Sequence, residues 1–116
     1  MNQGEKNERF RGLRRIGCIA CILEGNGIWC GPPEVHHLNS FGHAGMKRRG
    51  DEFTICLGAW HHRGGAPRGM TREVMVHLYG PSLALDSKQF RFAYGDDDSL
   101  LAITNHKLAR LEPEVA

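Results

Sequence analysis

Histidines and cysteines are concentrated in the first half of the chain at spacings that suit metal chemistry. Five of the seven histidines fall between positions 34 and 64: His36, His37, His43, His61 and His62. Two cysteines, Cys18 and Cys21, precede them as a Cys-x-x-Cys motif. Thiolate and imidazole are preferred ligands of zinc, and imidazole also suits several other divalent metals. The pattern therefore predicts metal binding, and two separate His-His pairs indicate more than one site.

The first predicted site is a structural zinc site. Cys18 and Cys21 form a knuckle that supplies two ligands from one turn, and His61 is the natural third ligand because it opens a helical turn after a strand. The fourth ligand has two candidates, Cys56 and Cys30. We expect Cys56, because it lies on the strand that leads to His61, whereas Cys30 follows a Gly-rich loop. The alternative is that the cysteines are small core residues.

The second predicted site is catalytic. His36 and His62 are expected to hold one divalent metal, and His37 to act as general base on an attacking water. Neighbouring residues on a strand point to opposite faces, so one histidine of the first pair can bind the metal while the other activates water. Either of the pair could take either role, because strand register decides which faces the helix. Histidine ligation leaves the metal open among Mg, Mn, Ni and Zn.

The strands and helices needed to position these residues, as predicted from the sequence, make an α+β fold. Residues 10–112 form one domain between a flexible tail at 1–9 and a short tail at 113–116, since 116 residues are too few for two cores. Two strands carry the histidines and are joined by a Gly-rich basic loop. Helix caps then predict a helical extension at the C-terminal end. The expected strands are 34–39 and 52–57, and the expected helices are 59–63, 72–79, 87–94 and about 97–112.

The distribution of charge and hydropathy along the chain limits the kinds of partner that the protein can bind. The net charge is only +2, but Lys47, Arg48 and Arg49 lie together between the two His pairs, and Arg63 follows the second. These basic residues lie close to the predicted catalytic metal, where the backbone of a nucleic acid substrate would pass. We therefore expect these four residues to contact DNA phosphates. No apolar run reaches the roughly 20 residues that span a bilayer, and no apolar signal core opens the chain. We therefore expect a cytoplasmic protein that is not in a membrane.

Five stretches resemble one known family. His36-His37-Leu38, the loop segment 47–50 and the stretch 54–64 are similar to the phage recombination enhancement function (Ref) proteins, which are HNH nucleases. The stretches 79–84 and 90–95 are similar to the C-terminal part of that family. The resemblance covers roughly residues 10–110. One departure concerns zinc: the family usually shows Leu-Cys where this chain has Leu57-Gly58.

The resemblance implies a fold, a chemistry and partners. The fold would be a ββα-metal (HNH) core with a Cys/His zinc knuckle, and the activity would be metal-dependent cleavage of DNA, for some members on DNA held by a RecA filament. The middle Asn of the HNH name, which braces a loop, has no counterpart in this stretch, and Asp51 is the closest polar candidate for its role. A zinc-finger-like module that binds DNA or protein without catalysis is the main alternative.

Overall fold

The computed structural model describes residues 1–25, 29–39 and 50–113. Six helices and a two-stranded sheet make up the described part of the chain, which is a mixed α+β fold. The elements in chain order are α1 (Gln3–Ile16), α2 (Ile19–Glu24), β1 (Pro33–His37), β2 (Thr54–Gly58), α3 (Ala59–Arg63), α4 (Arg72–Tyr79), α5 (Ser87–Tyr94) and α6 (Asp97–Ala109).

The sheet is antiparallel, and its register decides which histidine faces which helix. His36 pairs with Ile55, and His37 pairs with Thr54. Directly paired residues project from the same face, so the side chain of His36 leaves one face of the sheet and that of His37 leaves the other. Every residue of β2 is buried, because helices α1, α2, α3 and α6 pack against this strand. The two histidines of the first pair therefore meet different surroundings.

Helix α1 corrects the expectation of a flexible tail over residues 1–9. The side chain of Asn2 accepts a hydrogen bond from the Glu5 backbone, and the Glu5 carboxylate accepts one from the Asn2 backbone. This reciprocal cap supports a helix start at Gln3. Further along, the Arg9 guanidinium donates to the Thr54 hydroxyl and carbonyl at 2.8 and 2.6 Å, so the helix is fixed to β2.

Helices α3, α4 and α5 confirm the boundaries expected from their caps. Thr71 and Asp86 each accept a hydrogen bond from the backbone three residues later, which satisfies a free N–H of the first turn. Gly64, with a φ of 74°, ends α3 in the left-handed conformation that glycine adopts readily. Helix α6 ends at Ala109, three residues earlier than the expected limit.

A single core joins the sheet to the helices. Its largest fully buried side chains include Trp60, Phe90, Leu13, Ile55 and Leu57. The Trp60 indole N–H donates to the Gly80 carbonyl at 2.9 Å, which attaches the end of α4 to α3. This packing holds the helical turn that carries the second His pair. Within the described ranges, no helix combines the length and apolarity needed to cross a lipid bilayer.

Candidate active site and metal centre

Three cysteines and one histidine converge where β2 passes into α3. The ligand atoms of Cys18, Cys21, Cys30 and His61 all lie within 4.8 Å of one another, and all four residues are buried. His61 Nδ1 is 3.3 Å from Cys18 Sγ, 3.6 Å from Cys21 Sγ and 3.1 Å from Cys30 Sγ, and the sulfurs of Cys30 and Cys18 are 3.8 Å apart. This Cys3His group could hold a metal ion.

The dimensions of the Cys3His group fit zinc. Tetrahedral ligands at the usual zinc distances would separate two sulfurs by about 3.8 Å and a sulfur from a nitrogen by about 3.6 Å. The pKa of Cys18 is lowered, first by its hydrogen bond with Cys21 and then by that with Cys30, while hydrogen bonds with Cys18 and Cys30 raise the pKa of Cys21. The ionised state of Cys18 therefore disfavours ionisation of Cys21. A divalent cation would let all three thiols ionise.

The fourth member of the group corrects the expected preference for Cys56. Cys30 lies in the group, whereas Cys56 lies outside it. Cys56 is in the middle of β2, opposite Val35, and one two-residue strand repeat, roughly 7 Å, separates it from Gly58. Its thiol is buried, and burial raises its pKa to about 12, which keeps it protonated. A small backbone adjustment would therefore not bring the Cys56 sulfur into contact with the group.

Gly58 explains how Cys30 reaches the group. A Cβ built on Gly58 would lie 2.5 Å from Cys30 Sγ, so the missing side chain leaves the space that this sulfur fills. Gly58 has an ordinary extended φ of −68°, so backbone strain does not require glycine here. A side chain at position 58 would therefore occupy the same space as the Cys30 sulfur, beside Cys18, Cys21 and His61.

A residue that sequence reasoning overlooked orients His61. His61 Nε2 donates to the Tyr79 carbonyl at 2.6 Å, which leaves Nδ1 directed at the three sulfurs. The Tyr94 hydroxyl, which donates to Glu24 Oε1 at 2.5 Å, lies 3.2 Å from the same nitrogen. Outer partners of this kind fix the tautomer of a ligating histidine. The sequence did contain a signal for this contact. Gly80 ends α4, so the carbonyl of Tyr79 has no helical N–H to accept from and can accept from His61.

His36 and His62 also come together, on the face of the sheet covered by α3. His36 Nδ1 is 3.1 Å from His62 Nε2, and His62 Nδ1 donates to Glu34 Oε1 at 2.8 Å. Two imidazole nitrogens about 2.1 Å from one ion, at an angle of roughly 95°, would be about 3.1 Å apart. The separation fits two ligands of one metal ion, and the bond to Glu34 keeps the lone pair of His62 on Nε2.

The charge state of His36 suits a metal ligand. Burial lowers its pKa to about 4, and electrostatic interactions with His62 and Arg91 act in the same direction. His36 is therefore neutral near pH 7, as metal binding requires. Glu34 is the partner that the sequence reading missed. It lies two residues before His36, so strand alternation puts both on one face.

His37 lies on the opposite face and has a separate carboxylate partner. Its Nε2 donates to Asp51 Oδ1 at 2.8 Å, and the edge of its ring packs against the Phe10 ring with 6.0 Å between centroids. The Lys6 ammonium is 3.7 Å from Asp51 Oδ2. With the proton on Nε2, the Nδ1 atom of neutral His37 has a free lone pair. A histidine in this state can accept a proton.

The predicted DNA-binding residues fall partly within the described ranges. Lys47, Arg48 and Arg49 lie outside the described residues. Arg63 is exposed, and its Nε donates to Glu34 Oε2 at 2.9 Å. Arg63 thus belongs to the His62–Glu34 group.

The fold and the two groups define a small α+β protein with a buried Cys3His centre and a histidine pair beside it. A family model described as "Recombination enhancement, RecA-dependent nuclease" matches residues 3–109. The chain therefore belongs to this family of RecA-dependent nucleases. No curated protein and no solved structure matches it significantly.

Proposed function

We propose that the protein is a metal-dependent endonuclease of the HNH type, which hydrolyses DNA phosphodiester bonds during recombination. In this proposal β1, β2 and α3 form the ββα-metal core. The observation that carries it is the approach of His36 Nδ1 to His62 Nε2, 3.1 Å apart, with His37, the next residue in the chain, hydrogen-bonded through Nε2 to Asp51. Membership of the RecA-dependent nuclease family supports DNA held by a RecA filament as the substrate.

His36 and His62 would hold the catalytic metal, and the Cys3His group would hold zinc as a structural centre. A divalent ion between the two histidines would stabilise negative charge on the scissile phosphate and on the leaving oxygen. Both ligand nitrogens are neutral donors, which leaves the choice among Mg, Mn, Ni and Zn open. Glu34 would fix the orientation of His62 through the 2.8 Å bond and keep Arg63 at the rim of the site.

His37 would act as the general base. Its Nδ1 would take the proton of a water as that water's oxygen bonds to phosphorus, and the bond from phosphorus to the 3′ oxygen would break. Solvent water would supply the proton that makes that oxygen a 3′ hydroxyl, and the other product carries a 5′ phosphate. Asp51 would hold the ring in the required tautomer and stabilise the imidazolium that forms. In this proposal the scissile phosphate would lie across the end of β1, between His36 on one face and His37 on the other.

Removing His62 should abolish cleavage by removing a metal ligand. We expect wild-type protein with added Mg, Mn, Ni or Zn to nick plasmid DNA or to cut RecA-coated DNA, and His62→Ala to lose at least about 100-fold in rate with every metal. His77→Ala is the matched control, because His77 is an exposed histidine in the last turn of α4 and should leave the rate unchanged. DNA binding without cleavage under any of these conditions would favour the binding module instead.

Glu34→Gln should weaken the catalytic metal site. The substituted glutamine retains the size of the side chain but loses the charge that holds the proton on His62 Nδ1, and such outer partners commonly contribute roughly 10–100-fold to metal affinity. Calorimetric titration with Mn or Ni should therefore show weaker binding by about that factor. Glu73→Gln, an exposed substitution in the first turn of α4, controls for the change in net charge. Equal affinity in both variants would refute the role of Glu34.

A further inference from the structure

The outer surface of α1 carries a basic strip that neither metal group uses. On a helix, Lys6, Phe10 and Arg14 are four residues apart and therefore lie along one side, about 6 Å from one to the next. Arg11 stands beside Phe10 on the solvent side. Arg11 and Arg14 are exposed, and neither forms a hydrogen bond or ion pair with any described residue. We call Arg11 and Arg14 the arginine strip.

The arginine strip lies close to the candidate general base. Phe10, which separates Lys6 from Arg14 along the helix, has its ring against that of His37, with 6.0 Å between centroids. Lys6 contacts Asp51, the carboxylate that accepts from His37 Nε2. One helical turn beyond Phe10, Arg14 is therefore within about two turns of the groups that would perform the chemistry.

The charges of α1 are distributed unevenly around its axis. At about 100° per residue, Arg14 and Arg11 stand roughly 40° and 100° from Phe10, whereas Glu8 and Glu5 stand roughly 160° and 220° from it. Arg15 points toward α6 and donates to the Glu112 carbonyl at 2.8 Å. The acidic residues are therefore turned away from the side that borders His37. Arginines on that side that have no partner among the described residues are suited to an extended polyanion, since phosphates bind guanidinium groups strongly.

We propose that the arginine strip binds the phosphate backbone of the substrate DNA and guides the strand along α1 to His37. The inference rests on the proposed nuclease function, because it takes DNA as the ligand. Arg11 and Arg14 act as positioning residues that touch phosphates away from the scissile bond. Contacts of this kind fix the register of a nucleic acid without reading its sequence.

DNA binding measured over a range of salt concentrations tests the strip. Fluorescence anisotropy with labelled single-stranded and double-stranded oligonucleotides, without added metal and in a His37→Ala background, separates binding from cleavage. Each lost phosphate contact should lower the slope of log affinity against log salt by about 0.7 for single strands or 0.9 for duplex. Arg11→Gln/Arg14→Gln should therefore lose about 1.4 or 1.8 from the slope and bind roughly tenfold or more weakly near 0.1 M salt.

Two comparisons make the outcome decisive. Arg14→Gln should change the slope, whereas Lys88→Gln, which removes one charge from the exposed side of α5, should not. The strip variants and their parent could show equal slopes and equal affinities while protein that retains His37 still cleaves DNA. That result would overturn the proposed role of the arginine strip and leave the proposed nuclease function intact. A parent protein that neither binds nor cleaves DNA would overturn both proposals. Circular dichroism on each variant should match that of the parent, which checks that the total helix content is unchanged.

Discussion

Replacing His37 with alanine is expected to lower the rate of DNA cleavage by about 10²–10⁴-fold while metal binding stays intact. The reason is the separation of roles across β1. His37 leaves the face opposite to His36, so it lies away from the proposed metal, and its Nε2 is hydrogen-bonded to Asp51, which leaves Nδ1 to accept a proton. The loss corresponds to roughly 3–5 kcal/mol of activation free energy.

Nicking rates should be measured beside calorimetric titration with Mn or Ni on His37→Ala, His36→Ala and His77→Ala. His36→Ala should lose metal affinity and activity together, because its Nδ1 is 3.1 Å from His62 Nε2. His77→Ala should behave like wild type. Loss of metal in His37→Ala with retention in His36→Ala would exchange the two roles, and full activity of His37→Ala would exclude it as the base.

Loss of Cys30 is expected to cost the protein its zinc and much of its stability. Cys30 Sγ is 3.1 Å from His61 Nδ1, and the buried group has no fourth donor among the described residues without it. Structural zinc contributes roughly 10–16 kcal/mol of apparent binding free energy in zinc-finger peptides. Even about 3 kcal/mol lost here would lower Tm by roughly 10 °C in a domain of this size. We therefore expect Cys30→Ala to contain little zinc and to melt well below wild type.

Gly58 provides a rescue that tests the same site more sharply. A Cβ at position 58 would point into the space of Cys30 Sγ, 2.5 Å from it. Gly58→Cys should therefore disturb the protein while Cys30 is present, but Cys30→Ala/Gly58→Cys should regain about one zinc per chain and much of the lost Tm. The Gly31 carbonyl, 3.1 Å from that Cβ, must shift by a few tenths of an ångström to admit it.

Cys56→Ala is the matched control for the zinc experiments. Cys56 is a buried cysteine on the same strand as Gly58 and lies outside the Cys3His group. Its loss should cost packing but not zinc. Zinc content by atomic absorption and Tm by calorimetry, taken together on all four variants, decide the ligand set. Zinc retained in Cys30→Ala and lost in Cys56→Ala would restore Cys56 as the fourth ligand.

Local signals in the sequence determined most of the helical extension. The starts of α4 and α5 follow from Thr71 and Asp86, whose side chains cap the backbone three residues later, and their ends follow from Gly80 and Gly95. A cap depends on residues within one turn, so the sequence contains the whole interaction. The same type of signal was present at Asn2 and Glu5 but was overlooked, which is why the start of α1 was expected to be a flexible tail.

Residue types and spacing also indicated the metal chemistry and the family. Cys18 and Cys21 with His61, and His36 with His62, were chosen from the sequence, and the structure brings each set together. The spacing of two ligands in a knuckle, and the alternation of side chains between the faces of a strand, are fixed by backbone geometry. The resemblance to the recombination enhancement family rested on the same motifs, and the family match over residues 3–109 confirms it.

Only the tertiary structure decided between Cys30 and Cys56 and supplied the outer partners. Cys30 is 31 positions before His61, so its approach depends on how Cys30 and Gly31 pack against Gly58. The bonds from His61 to Tyr79 and from His37 to Asp51 likewise span 18 and 14 positions. Contacts at such separations depend on how whole helices and strands pack together. Local propensity and residue spacing do not describe that packing.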